Sequence, residues 1–340
     1  MRRKRKRLTR RVIAVIVTAA LTSVLIAALL ITNIFIPVKY LSAYMTSKEQ
    51  RPQDTMRVTY IDASHGDSTL IELPDGKTML IDGGDGTYPN MLKLLKTLNS
   101  RGIDSIDYLI CTSVKREHCG GFAEIVKYKT VKYAYIPYCN NTRVTNEYHS
   151  FITALETKKI AYSYAGAGEG AVGSEYFFTF LSPVNHLSPM SEYAALNQHA
   201  TATTIENASV VTWLEYQGIG FAFTSDVRPD ALKRIIEEYR ECEEVFQPFC
   251  KIGDRAVDFK KCKIVTAPAH AGEDNTYAPW YDLIKPEQTV ISVGKNFAGY
   301  PSLIALSDIC NYCTPLYTSH NGNITVTVND GVYHMDKQRG

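Results

Sequence analysis

The chain has 340 residues, 45% of them apolar, with 37 Lys and Arg against 35 Asp and Glu. That is enough apolar content to bury a large core, as one big domain or two ordinary ones. The net charge of +2 hides an asymmetry: residues 2–11 carry eight basic side chains and no acid, which leaves 29 basic against 35 acidic side chains, a net of −6, in the rest. Nucleic-acid binding through overall charge is thereby excluded for the remainder, and any such binding needs a local groove.

Residues 12–36 are about 25 uncharged, mostly apolar residues, enough for a helix to cross a hydrocarbon core of about 30 Å with some tilt. A cleaved signal peptide is the competing reading. Its apolar region would run only about 7–15 residues, and Leu41-Ser42-Ala43 matches a small-x-small cleavage site poorly. The expectation is a single-pass anchor over 12–36, with the basic tail 1–11 cytoplasmic and all that follows extracytoplasmic, at the cell surface. Residues 37–54, polar and carrying Pro37 and Pro52, read as a linker.

Short apolar runs at 58–62, 69–73 and 78–82 predict three strands, the last two joined through Pro74-Asp75-Gly76-Lys77 as a hairpin. Residues 88–98 have helical periodicity, and 106–111 form an apolar strand that breaks into a polar loop. Within that loop stand Ser113, Lys115, Glu117 and His118, before Gly120-Gly121, which lets the backbone turn toward a helix at 122–129. A strand at 131–137, a helix at 147–158 and a strand at 176–183 follow, and the polar segment 188–206 reads as irregular, passing over the site mouth. Two strands at hairpin distance end on Asp226; a helix at 231–239, a strand at 262–268 running into Ala269-His270, and a strand at 290–294 come next. Runs at 316–318 and 324–328 read as closing strands with Asn321-Gly322 as the turn.

The loop resembles the metal-binding loop of the metallo-β-lactamase superfamily, Thr-His-x-His-x-Asp-His-x-Gly-Gly. Thr112, His118, Gly120 and Gly121 match it, while Ser113, Lys115 and Glu117 replace two histidines and the aspartate. The run from Asp62 to Ile71 (D-A-S-H-G-D-S-T-L-I) and Leu80-Ile81-Asp82-Gly83-Gly84 resemble the opening of the hydrolase domain of ComEC-type competence proteins, with Asp62, Gly66, Asp67 and Ser68 retained. Asn207-Ala208-Ser209, Thr224-Ser225-Asp226 and the Ala269-His270-Ala271-Gly272 step resemble later motifs of that family. The resemblance implies an α/β fold, a metallo-β-lactamase-like four-layer αββα sandwich over 55–336, preceded by one transmembrane helix.

Carried over residue by residue, the family's first metal set becomes Ser113, Lys115 and no clear third ligand, His186 and His199 being weak candidates; that site is expected to be empty. The second set becomes Glu117, His118, Asp226 and His270, donors suited to one Zn²⁺ or Mn²⁺. Asp62, Asp82 and Ser113 are expected to orient the ligands. Lys115 and Asp226 are the catalytic candidates, with the Lys115 ammonium standing where a cation is lost and polarising a phosphoryl oxygen; an ordinary ion pair with Glu117 is the plainer alternative. His65 reads as a surface turn residue, and Tyr300 and Trp280 as packing or rim residues.

The function implied is a membrane-anchored ComEC-like hydrolase acting on phosphodiesters, of nucleic acid or nucleotides, with at most one metal. The alternative is a catalytically degenerate domain serving as a surface binding module. Cys310-x-x-Cys313 has redox spacing but lacks a thioredoxin-like context. Cys242, Cys250 and Cys262 are disulfide candidates in an oxidising compartment.

Overall fold

The computed structural model describes residues 10–35, 38–50, 54–138, 144–184 and 202–339. It starts with an apolar helix, Arg10–Phe35, of which 19 residues, Arg10–Ala28, are long and apolar enough to cross a membrane and have no side buried in the domain.

Among the described residues fifteen strands follow: β1 (Met56–Tyr60), β2 (Thr69–Glu72), β3 (Thr78–Ile81), β4 (Ser105–Ile110), β5 (Thr130–Ile136), β6 (Ala161–Tyr164), β7 (Gly170–Val172), β8 (Tyr176–Ser182), β9 (Val211–Tyr216), β10 (Ile219–Phe223), β11 (Cys262–Thr266), β12 (Gln288–Ile291), β13 (Pro315–Tyr317), β14 (Ile324–Asn329) and β15 (Val332–Lys337). They form two sheets, ordered β15-β14-β1-β2-β3-β4-β5-β6 and β13-β12-β11-β10-β9-β8-β7. Each sheet is antiparallel in one part and parallel in the other; β3 to β6 and β10 to β13 are the parallel runs.

Period-two side chains explain why the sheets stack. Val58 and Tyr60, Met79 and Ile81, Phe178 and Phe180, and Phe221 and Phe223 all point into one core shared by both sheets. Their alternates face outward: Leu70 and Leu80 meet Leu94, Leu95 and Leu98 of the helix Tyr88–Ser100 together with Phe122 and Phe151. On the other sheet, Phe177 and Ala222 meet Ile235 and Ile236 of the helix Pro229–Glu244, with Trp280 and Tyr281. Three cores between four layers make the αββα sandwich expected from the sequence. Each fully buried leucine in the 88–100 helix contributes about 2 kcal/mol of hydrophobic stabilisation, so that helix is held by its apolar face rather than by its single N-terminal proline.

The sequence reading needs correction in several places. Asn321-Gly322 does not join a hairpin: β13 belongs to one sheet and β14 to the other, and the connection passes through a short helical turn, Thr318–Asn321. β14 instead pairs with β15 through Asp330-Gly331, both at positive φ. The stretch read as a linker is partly structured. Tyr40 is buried, its ring stacked on Tyr88 at 5.6 Å and edge-on to Tyr128 at 6.3 Å, and Ala43 O accepts a bond from Asn99 Nδ2 at 2.9 Å. Of the two alternatives read for Trp280, packing or rim, it takes the first and is wholly buried. Among the described residues all seven cysteines, including Cys242, Cys250, Cys262, Cys310 and Cys313, are free.

Candidate metal centre

The site sits where strand ends of both sheets meet. From one sheet come the turn after β1, the end of β3 and the loop after β4; from the other come the turns after β10 and β11.

Asp82 ends β3 in the left-handed region (φ +59), a conformation that Asp tolerates better than most residues. From there its carboxylate accepts bonds from Thr112 N (2.8 Å), Thr112 Oγ1 (2.5 Å) and His118 Nδ1 (2.8 Å). Thr112 Oγ1 also lies 2.6 Å from Ser225 Oγ, which ties the two sheets together at the site. Asp82 therefore contacts the ring nitrogen of His118 that faces away from Asp226. On the other side, His270 Nδ1 donates to the Ser292 carbonyl at 2.7 Å. His270 stands in a run of three left-handed residues, Ala269, His270 and Ala271 (φ +40, +58 and +59). Three such residues in a row, none of them glycine, store backbone strain, and strain of this kind gathers at functional sites.

With both Nδ1 atoms engaged, the Nε2 atoms of His118 and His270 point at one carboxylate. They lie 3.1 Å from Asp226 Oδ2 and 3.9 Å from Asp226 Oδ1. Both Nε2 atoms and Asp226 Oδ1 are buried without a hydrogen-bond partner, whereas Asp226 Oδ2 has ion-pair contacts but no aligned hydrogen bond, the short approach of His118 being off hydrogen-bond geometry. Asp226 itself follows Ser225 at φ +50, in a turn pinned by Thr224 N to Thr266 Oγ1 (2.8 Å) and Thr224 Oγ1 to Thr266 O (2.6 Å).

Lys115 supplies the cation beside that carboxylate. Its Nζ lies 2.8 Å from Asp226 Oδ2 and 2.7 Å from Glu206 Oε1. The expected alternative, a pair with Glu117, is not what forms. Burial works against the Lys115 charge, but Asp226 and Glu206 outweigh it and raise the pKa above its ordinary value. Asp226 is buried too, yet His118 and Lys115 hold its carboxyl well below the usual range. His118 is the converse: burial disfavours its charge, and the Asp226 and Asp82 carboxylates nevertheless hold it well above the ordinary imidazole value. Asp82 is pushed up by burial, with His118 opposing the shift in part.

Two groups of donors converge closely enough to hold an ion: Asp67, His118 and His270, and Glu117, His118 and Asp226. Both include His118, so they describe one centre rather than two. Orphaned, buried nitrogen and oxygen donors around a single point fit one divalent metal. Lys115 lies against the Asp226 carboxylate of this centre, 2.8 Å from Oδ2.

Asp67 was missed as a ligand candidate, although the retained Gly66-Asp67-Ser68 wording was its signal. Gly66 is required because a Cβ there would come within 2.7 Å of Glu117 O, and Asp67 N bonds to that same carbonyl at 3.1 Å. Glu206 was missed because residues 188–206 read as irregular; residues 185–201, with His186 and His199, lie outside the described residues, and the end of the segment is a helix, Ala202–Asn207. His65 is no surface turn residue: its ring lies 4.7 Å from His270 and 5.8 Å from Tyr300, which makes Tyr300 a wall of the site. Asp62 does not orient a ligand. Its carboxylate takes Lys93 (3.2 Å) and Arg339 (2.8 Å) and faces a separate polar cavity of about 850 Å³ that Lys96 and Arg101 also line. Ser113 acts on Lys115 rather than on a histidine, its Oγ accepting from Lys115 N at 3.3 Å.

Gly120 and Gly121 match the motif for a different reason than a turn. Both have right-handed φ, −59 and −86. A Cβ on Gly120 would meet Asp85 O at 2.4 Å, and one on Gly121 would meet Gly83 O at 2.2 Å. The glycines let the loop pack directly on the 83–85 backbone, where Gly83 N bonds to His118 O at 2.7 Å.

No family model matches the chain, and no curated protein matches it. Solved structures do. The metallo-beta-lactamase fold protein YhfI from Bacillus subtilis is similar over 83% of this chain and 100% of that one, at 9% identity and a TM-score of 0.45. A diphosphatase from the PhnP family is similar over 80% and 98%, at 10% and 0.42. Zn²⁺-bound PqqB from Methylobacterium extorquens is similar over 77% and 87%, at 11% and 0.41. At such identities these likenesses say nothing of the chemistry of this chain, and its four layers stand on its own sheet order and cores.

Proposed function

We propose that the protein is a membrane-anchored, extracytoplasmic hydrolase of phosphodiesters, ComEC-like in its domain, working with one divalent metal, Zn²⁺ or Mn²⁺, and one lysine. The carrying observation is the pair of imidazoles whose Nδ1 atoms are fixed by Asp82 and Ser292 while their Nε2 atoms face Asp226 unpartnered. Fixing the far nitrogen of a ligand histidine is how proteins set its tautomer and direction.

His118, His270 and Asp226, with Asp67 and Glu117 beside them, would hold the ion. Bound there, the metal would supply Lewis acidity toward a phosphoryl oxygen. Lys115 keeps a second positive charge in a partly buried place, where it stabilises negative charge developing on the substrate more strongly than it would in water. Asp226, held ionised between Lys115 and His118, accepts a hydrogen bond from an attacking water and orients it. His65 and Tyr300, their ring centroids 5.8 Å apart, would line this side of the site.

Residues 12–36 would hold the domain at the membrane, with residues 1–11 in the cytoplasm. Among the described residues one helix segment, Arg10–Ala28, is long and apolar enough to span a membrane and is not buried in the domain, which supports this.

The test is hydrolysis of bis(p-nitrophenyl) phosphate and of a dinucleotide by the full chain in detergent, with Zn²⁺ or Mn²⁺ added. Turnover that falls at least about a hundredfold in both His118→Ala and Asp226→Asn supports the reading. Turnover unchanged in these variants, or absent with every metal tried, would leave the second reading, a binding domain. Ser113 and Lys115, at the two positions where the resembled loop carries histidine, are the observation in favour of that alternative.

A further inference from the structure

Glu206 is held in an unusual way for a residue on a six-residue helix. Its Oε1 lies 2.7 Å from Lys115 Nζ, and its Oε2 is bonded to Arg228 Nε. The two cations stand on rigid supports. Lys115 follows β4 of one sheet, and Arg228 follows β10 of the other, immediately before the Pro229–Glu244 helix. Glu206 comes from outside this frame, on the short helix that precedes β9.

Exposure separates the three side chains. Lys115 and Arg228 keep 26% and 28% of their surface at the site mouth, whereas Glu206 keeps 13%, being covered by the cations it joins. An ammonium and a guanidinium that converge on two oxygens of one planar anion form the array that two non-bridging oxygens of a phosphoryl group occupy. The array also abuts the metal centre, because Lys115 touches Asp226 at 2.8 Å.

We infer that Lys115 and Arg228 form the oxyanion-binding site for the phosphoryl group of the substrate, and that Glu206 occupies this site in the substrate-free protein as an internal carboxylate. The identity of the oxyanion rests on the phosphodiester reading above; the cation pair and its internal guest do not. Substrate binding then requires Glu206 to leave, and the apparent affinity for a phosphoryl anion is lowered by the fraction of molecules in which Glu206 is seated. Arg228 is a substrate-binding residue by this account, a role given to it by neither its position in a motif nor its neighbours in sequence.

The experiment is calorimetric titration of inorganic phosphate into the full chain in detergent, with chelator present so that no metal takes part. Glu206→Gln removes the competing charge and should bind phosphate at least about tenfold more tightly than the unaltered protein. Adding Arg228→Ala to that variant should abolish the gain. Glu206→Asp keeps the charge but cannot span both cations, and should show the same gain in smaller measure. A Glu206 that merely fastens its helix predicts instead a lower melting temperature in both variants and no gain in phosphate affinity; that result overturns the inference. Phosphate binding in the variants without metal uptake by the protein would keep the anion site and discard hydrolysis, while metal-dependent hydrolysis without the affinity gain would do the reverse.

Discussion

Lys115 Nζ lies 2.8 Å from Oδ2 of Asp226, the same oxygen that His118 Nε2 approaches to 3.1 Å. One carboxylate oxygen is thus shared between a permanent cation of the chain and a nitrogen with a free lone-pair direction when neutral. The fixed charge of the proposed one-metal centre is thus Lys115, against the carboxylate that would face the ion.

Replacing that fixed charge tests the arrangement. Lys115→Met leaves Asp226 buried beside an apolar chain, and removal of one partner of a buried pair costs about 3 kcal/mol or more. Thermal unfolding of the metal-free protein should show this loss, and saturating Zn²⁺ or Mn²⁺ should recover part of it, because the metal then neutralises the stranded carboxylate. Equal loss with and without metal would contradict the placement of the ion near Asp226.

Asp82→Asn tests orientation without disturbing the backbone, since Asn tolerates the left-handed conformation at this position. The amide can keep a bond with Thr112 but no longer holds His118 with a charge. Metal affinity, measured by competition with a coloured chelator, should fall about 10- to 100-fold, while the fold persists. An unchanged affinity would remove Asp82 from the centre.

Gly121→Ala tests why the double glycine is there. Its φ of −86 suits alanine, so a turn requirement predicts little effect. Close packing predicts a large one, because the added Cβ would fall 2.2 Å from Gly83 O and 2.7 Å from Met91 Sδ. Overpacking against backbone costs about 1–3 kcal/mol or more, and chemical denaturation should report it.

Tyr40→Ala asks whether the stretch after the apolar helix is part of the domain. Tyr40 is 2% exposed between Tyr88 and Tyr128. Truncating a buried aromatic side chain costs about 3–5 kcal/mol, whereas the same change in a free tether costs nothing measurable. Unfolding curves for the two proteins decide between these.

The fold was legible wherever periodicity is local. The 69–82 hairpin, the 88–100 helix and the strand into the loop follow from alternation and turn residues, and the loop wording located His118 and the late motifs located Asp226 and His270. What could not be read depended on distant partners. Asp62 ends a strand as Asp82 does, and only the tail residue Arg339 and helix residue Lys93 show that it faces another cavity. Lys115 was equally placed by sequence to meet Glu117 or Asp226; the second sheet's turn and Glu206 decided the outcome. Asp67 stands among the retained residues of the opening motif, which assigns it no metal, and Gly120-Gly121 mark a close approach of backbones where a pair of glycines suggests a turn.

Whether the centre binds one metal ion is tested most directly by elemental analysis of the purified full chain beside a His118→Ala/Asp226→Ala variant. About one Zn or Mn per chain, lost in the variant, is the result expected. No metal in the unaltered protein, even after incubation with Zn²⁺ or Mn²⁺, would contradict it.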